Sequence, residues 1–260
     1  MLGVRIAQPK TTDPGRVIAH RGASMTAPEN TLAAFREAAR QGARWIEFDV
    51  SLLGDKTPVI FHDATLDRCT RVSGCLTDLK VDDLASIDAG SWHSKIYEGE
   101  RIPKLTQCLD MIAESGLFAN LEIKPHSGDP VEIAEIVARE LTLRNWAKSS
   151  ITVSSFSIQT LSALRSLRVN QPLAVLWRHP PDDWAITARE LEAEAIHVEY
   201  TSLTSELLLE ARRRKIGLRV YTINRPELIE QFRNLGLLGV ITDHPLSFFE
   251  DPSWLGWSET

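Results

Sequence analysis

Arg44-Trp45-Ile46-Glu47-Phe48-Asp49-Val50 is the stretch on which the fold turns. Its carboxylates alternate with Ile46, Phe48 and Val50, and the two-residue period of a strand sends Glu47 and Asp49 to one side together. Trp45, Ile46, Phe48 and Val50 are read as the set that must be buried opposite them. A strand buried on one side and doubly acidic on the other implies an enclosed but wet cavity. Leu121-Glu122-Ile123-Lys124 repeats the pattern, with Glu122 and Lys124 pointing one way and Leu121 and Ile123 the other. His20-Arg21 and His62-Asp63 fall at the ends of two further apolar runs.

Nine β-rich runs punctuate the chain: Val17 to His20, Trp45 to Leu52, Pro58 to His62, Phe118 to Lys124, Ile151 to Phe156, Leu173 to Trp177, Ala195 to Tyr200, Leu218 to Asn224 and Gly239 to Thr242. Helical periods lie between most of them. In Thr31 to Gln41, for example, Leu32, Phe35 and Ala39 form an apolar stripe, with Asn30 expected as N-cap and Gly42 beyond the C-terminus. Val131 to Leu143, Ser157 to Leu167, Ser205 to Lys215 and Pro226 to Asn234 read alike. Strand alternating with helix implies parallel pairing and right-handed crossovers. Too little chain separates the second and third runs for a helix, so one run is an extension or hairpin partner of the second strand. Eight βα units then remain, which predicts an α/β fold of the TIM (β/α)8 barrel type. An open doubly wound sheet is the competitor, but His20-Arg21-Gly22-Ala23-Ser24 lacks the glycine pattern of its dinucleotide form. Residues 64–104 fit no βα unit and are read as a small insertion after the second strand, over the active-site face of a single domain spanning residues 1–260.

With 260 residues, 43% hydrophobic and 25% charged, the chain can bury a sizeable core. A formal charge of −6 gives no general attraction to nucleic acid or to an anionic bilayer, so an anionic ligand must be held by local positive groups. Three cysteines, Cys69, Cys75 and Cys108, have no metal-ligand spacing and are read as reduced thiols. The opening residues contain no signal-like apolar run and no later stretch reaches ~18 apolar residues, which leads us to expect a cytoplasmic protein without stable membrane association. Homo-oligomerisation is left open.

On a barrel, His20, Glu47, Asp49, His62, Glu122 and Lys124 share the rim formed by the C-terminal strand ends. Two unit charges ~4 Å apart cost about 4 kcal/mol at an effective dielectric near 20, so three carboxylates in a partly dry pocket call for a cation. Oxygen-only ligation by Glu47, Asp49 and Glu122 suits a hard divalent metal ion, Mg²⁺ or Ca²⁺, better than Zn²⁺. Arg21 and Lys124 point to a ligand with phosphate geometry. His20 and His62 can give and take protons near neutral pH, as leaving-group chemistry on a phosphodiester requires. Taken singly, each feature has a plainer reading: a core histidine, an internal ion pair, a turn at His62-Asp63, or Arg21 paired with a carboxylate. Their coincidence on consecutive strand ends argues for phosphodiester cleavage.

The motifs Ile18-Ala19-His20-Arg21-Gly22-Ala23, Ala27-Pro28-Glu29-Asn30-Thr31, Ile46 to Val50, Phe61-His62-Asp63, Asp88-Ala89-Gly90-Ser91-Trp92, Ile102-Pro103, Glu122-Ile123-Lys124-Pro125 and Ile241-Thr242-Asp243 together resemble the glycerophosphodiester phosphodiesterases, most closely the short cytoplasmic bacterial type. The resemblance runs from about Arg16 to Pro245. It implies metal-dependent hydrolysis of a small-molecule glycerophosphodiester to sn-glycerol 3-phosphate and an alcohol. Metal ligation would fall to Glu47, Asp49 and Glu122, acid–base work to His20 and His62, and phosphate binding to Arg21 and Lys124. The substrate's 2-hydroxyl would attack phosphorus and give a cyclic phosphate that water opens. Tyr221 stands where many relatives carry Trp, and Glu199-Tyr200 replaces the Asn or His types expected on that strand. Tyr221 is therefore assigned to substrate binding, with Phe156 beside it on the glycerol side. A phospholipase C-like or lysophospholipase D-like activity, and a noncatalytic anion-binding barrel, are the alternatives. Trp254 and Trp257 are expected to pack against the barrel.

Overall fold

The computed structural model describes residues 16–126, 128–144, 146, 150–251 and 254. The apolar runs become β1 (Val17–Ala19), β2 (Trp45–Leu52), β3 (Pro58–Ile60), β4 (Phe118–Ile123), β5 (Ile151–Ser155), β6 (Leu173–Trp177), β7 (Ala195–Glu199), β8 (Gly217–Tyr221) and β9 (Gly239–Thr242). They pair in the order β1-β9-β8-β7-β6-β5-β4-β2-β3, and β1 also pairs with β2. That last pairing, Ile18 with Trp45 and Ala19 with Ile46, closes a barrel of parallel strands. β3 is antiparallel to β2 and hangs outside the closed ring, so the run ending near His62 is the hairpin partner.

The helices α1 (Leu32–Arg40), α2 (Leu105–Ser115), α3 (Pro130–Thr142), α4 (Ile158–Ser166), α5 (Trp184–Glu190), α6 (Ser205–Arg214) and α7 (Leu246–Phe249) surround the sheet. Outward residues of the strands, among them Ile46, Phe48, Val50, Leu121 and Ile123, meet helix residues such as Phe35, Leu109 and Ile133 in one core. This is the TIM barrel expected from the alternation of elements.

Several local readings change. The N-cap of α1 is Thr31, whose Oγ1 accepts from the Ala34 N–H at 3.2 Å. Asn30 instead adopts a left-handed φ of 57° and turns its amide onto Asp49, a role that a polar residue before a helix does not advertise. α2, α5 and α7 lie outside the stretches expected to be helical. The stretch from Pro226 to Asn234 forms 3₁₀ turns rather than an α-helix: Ile229 leaves helical backbone geometry, and Gly236 ends the segment in the left-handed region. Trp45 belongs with the acids, not against them, because residues 45, 47 and 49 share parity. It stacks on Phe118 at 5.0 Å and lies with Ile18 and Ile241 at the barrel floor. Trp254 is buried edge-on to Phe248, 5.1 Å away; Trp257 lies outside the described residues.

Between β3 and α2 the chain makes three 3₁₀ turns and no βα unit. Leu53, Phe61, Leu66, Cys69, Leu84 and Ile102 form a small second core there. Asp88 organises the loop that follows, accepting the N–H groups of Gly90, Ser91 and Gly99 at 2.7–2.9 Å. Cys69, Cys75 and Cys108 are free thiols. Among the described residues no helix is long and apolar enough to cross a membrane.

Candidate active site

Strand parity gathers the acids. Glu47 and Asp49 on β2 and Glu122 on β4 are buried inside the barrel mouth, and one carboxylate oxygen from each lies within 4.8 Å of the others. Burial, reinforced by Asp49 and Glu122, pushes the Glu47 carboxyl well above the usual carboxylate range against the pull of Arg21 and Lys124. Burial also raises Glu122, while Lys124 opposes it. Asp49 goes the other way: burial is outweighed by Lys124 and Arg21, which hold it below the ordinary value. The cluster by itself thus disfavours three simultaneous negative charges.

The residues fit a hard divalent ion. Glu47 Oε1 is buried without a hydrogen-bond partner, and Asp49 Oδ1 has no hydrogen bond, only Lys124 Nζ at 3.3 Å. Oxygens bound to one such ion at about 2.0–2.6 Å stand no more than about 5 Å apart, which matches the observed spread. Neither His nor Cys contributes to the set, in keeping with an oxygen-loving metal.

The cations named from the sequence stand on the same acids. Lys124 Nζ contacts Glu122 and lies 5.5 Å from the centre of the Phe156 ring. Arg21 pairs with Glu29 at 2.7 Å and with Asp49 at 3.1 Å, and its backbone N–H donates to Glu47 Oε2 at 2.9 Å. That backbone contact requires a sharp exit from β1. Arg21 and Gly22 both take left-handed φ values, 57° and 83°, and a Cβ on Gly22 would stand 2.6 Å from the Ala34 carbonyl carbon.

Each histidine is anchored by a carboxylate. His20 Nδ1 lies 2.6 Å from Asp243 Oδ1, and His62 Nδ1 lies 2.5 Å from Asp63 Oδ1. A carboxylate only accepts, so Nδ1 must carry the proton and Nε2 is left to exchange one. His20 Nε2 stands 3.9 Å from Glu47 Oε2, at the edge of the acid cluster. Burial pushes His62 below the ordinary histidine value, against the opposing effect of Asp49.

The carboxylate anchors are held in turn. Asp243 accepts from Ser24 Oγ at 3.0 Å and Asn224 Nδ2 at 2.9 Å. Asp63 accepts both arms of the Arg68 guanidinium, at 2.7 and 3.0 Å. Asn30 donates to Asp49 Oδ2 at 2.8 Å and accepts from its N–H at 3.2 Å. Sequence reasoning gives none of Asp63, Asp243, Arg68, Asn30 or Asn224 a role in the site. Asp63 and Asp243 carry a signal, being adjacent to His62 and at the end of a strand, whereas Arg68 sits in a loop without periodicity.

Tyr221 enters the mouth from β8, its ring edge-on to Phe156 at 6.0 Å and its hydroxyl buried without a hydrogen-bond partner. Burial, with Glu122 and Glu199 nearby, raises its pKa and keeps it a phenol.

A family model described as the Glycerophosphoryl diester phosphodiesterase family matches residues 20–247. A glycerophosphodiester phosphodiesterase of Caldanaerobacter subterraneus subsp. tengcongensis is 32% identical over 230 residues, which cover 88% of this chain and 94% of that one. A Bacillus subtilis protein of the same name is 28% identical over 252 residues, covering 89% and 85% of the two chains. The solved structure of an Oleispira antarctica phosphodiesterase in complex with the product sn-glycerol-3-phosphate superimposes with a TM-score of 0.86 at 30% identity, covering 94% of this chain and 97% of that one.

Proposed function

Because this chain belongs to the glycerophosphoryl diester phosphodiesterase family, we propose that Glu47, Asp49 and Glu122 hold one divalent cation, Mg²⁺ or Ca²⁺, beside two proton-exchanging histidines. The enzyme hydrolyses glycerophosphodiesters to sn-glycerol 3-phosphate and an alcohol. The observation that carries the residue assignment is the convergence of three buried carboxylates with two imidazoles, each oriented by its own aspartate. When bound, the cation would share the charge of the phosphodiester and make phosphorus more electrophilic.

Lys124 and Arg21 hold the phosphate oxygens from the same side as the acids. His20 Nε2 takes the proton of the glycerol 2-hydroxyl as its oxygen bonds to phosphorus. His62 Nε2 gives its proton to the departing alkoxide as the phosphorus–oxygen bond to the alcohol breaks. Water then opens the cyclic phosphate with the two histidines exchanging roles. Tyr221 meets its unsatisfied hydroxyl with a substrate oxygen, and Phe156 supports the apolar edge of the glycerol. Residues 64–104 form a small insertion over this face of one barrel domain. The free thiols fit action in the cytoplasm.

A panel of glycerophosphodiesters, lysolipids and bis(p-nitrophenyl) phosphate, assayed with and without chelator, tests this reading. Metal-dependent release of sn-glycerol 3-phosphate supports it. Full activity in metal-free protein overturns the cation assignment, and lysophosphatidate as the main product moves the substrate class to intact lipids.

A further inference from the structure

We propose that Arg68 is a positioning residue for the reaction, fixing His62 through Asp63. This rests on the assignment of His62 to proton transfer made above. The guanidinium grips two carboxylates at once: Nε and Nη2 reach Asp63 at 2.7 and 3.0 Å, while Nη1 and Nη2 reach Glu29 at 2.5 and 2.9 Å. A planar fork bound at both edges fixes the plane of each carboxylate, as a flexible ammonium cannot. The oxygen of Asp63 that accepts from Arg68 Nη2 is also the one that accepts from His62 Nδ1. Rotation of Asp63 would therefore swing the imidazole.

The two histidines differ in this respect. Asp243, which orients His20, is held by Ser24 and Asn224 from loops at the ends of β1 and β8. Asp63 sits outside the barrel ring on the chain leaving β3, with its side chain 24% exposed, and Arg68 supplies its ion pair. Arg68 is itself well rooted, since its neighbours Leu66 and Cys69 are buried in the small second core. The far side of the fork ends on Glu29, which Arg21 also grips at 2.7 Å. His62 is in this way referenced to the β1 exit loop rather than left on a surface hairpin. Burial of Glu29 is offset by Arg68 and Arg21, which keep it charged.

A staple that merely holds residues 64–104 in place would use the same contacts, so the test must separate positioning from folding. Arg68→Ala and Arg68→Lys are made in the wild-type and in the His62→Ala background, and all are assayed on glycerophosphocholine, whose aliphatic alkoxide must be protonated to leave, at saturating Mg²⁺, with melting curves. Partners that orient a reacting or ligating imidazole are typically worth about 10–100-fold. Arg68→Ala should lower kcat by that amount with KM changed less than about threefold, and Arg68→Lys should recover part of it. In the His62→Ala background neither change should lower kcat further, because the group being positioned is gone. An equal loss in both backgrounds, or a loss confined to KM, overturns the proposal. Wild-type turnover by His62→Ala alone would instead sink the His62 assignment, and this proposal with it. Should Arg68→Ala not fold, Arg68→Lys and Arg68→Gln carry the same cycle.

Discussion

A protonated Nδ1 facing an aspartate gives both histidines the same tautomer, and the aspartates set how long that arrangement survives acid. Burial alone would raise Asp63, but hydrogen bonds from Arg68 and His62 bring it down to about 2. Asp243 is likewise raised by burial and brought down to about 2 by His20 and Asn224. A carboxylate depressed in the folded state adds stability that is complete above its unfolded value near ~4 and is lost as pH falls through its folded value. Acid unfolding followed by tryptophan fluorescence should therefore show stability draining between about pH 4 and 2, with a shallower slope in Asp243→Asn; an unchanged slope would contradict the linkage. His20→Ala and His62→Ala should each lower turnover by at least ~10²-fold without loss of fold. A near-normal rate in either would remove that residue from the reaction. Alternation makes Glu47, Asp49 and Glu122 legible as a set in the sequence, since parity is a property of neighbours along the chain. Their hydrogen-bonding supports are not legible there: Asn30 lies 19 positions from Asp49, and Asn224 lies 19 from Asp243. Nothing local links such pairs.

Among the elements, α1 and the turn before it carry the site more than their length suggests. Thr31 Oγ1 both accepts from Ala34 N–H and donates to the Pro28 carbonyl at 2.7 Å, which ties the helix start to the loop bearing Glu29 and Asn30. Thr31→Ala should cost about 1 kcal/mol or somewhat more, measured by denaturant unfolding, as for other capping side chains. Gly22→Ala should be far worse, because the added Cβ meets backbone rather than a movable side chain. It should expel Arg21 N–H from Glu47, and a folded, fully active Gly22→Ala enzyme would show that the tight exit from β1 is dispensable. Helix periods predict α1, α3, α4 and α6 to within a residue or so of their ends. They overreach at 226–234, where local apolar spacing looks helical but the backbone closes into 3₁₀ turns.

On the scale of the whole molecule, the pairing of β2 with β4 brings together acids that lie far apart in sequence, as Asp49 opposite Glu122 shows. Filling the acid cluster with a cation should stabilise the fold by mass action, about 2.7 kcal/mol at a hundredfold excess over Kd. For a chain of this size that corresponds to a rise in melting temperature of roughly 5–10 °C. Titrating Mg²⁺ or Ca²⁺ into chelated protein checks this, and Glu47→Gln should abolish the rise. The barrel count can be taken from sequence because eight strand–helix alternations have few ways to close. The small second core cannot, since residues 53–102 show no period that announces one.

The stacked rings of Trp45 and Phe118, wedged with Ile18 and Ile241, cork the far end of the barrel. The reaction chamber is therefore a blind alley with one doorway. Both fragments of a cleaved diester must back out along the route by which the intact molecule came in, and whichever lingers keeps the next arrival waiting outside. Added sn-glycerol 3-phosphate, the fragment freed last when water opens the cyclic phosphate, should accordingly compete with incoming diester in steady-state kinetics, and purely noncompetitive behaviour would mean that it leaves before the alcohol.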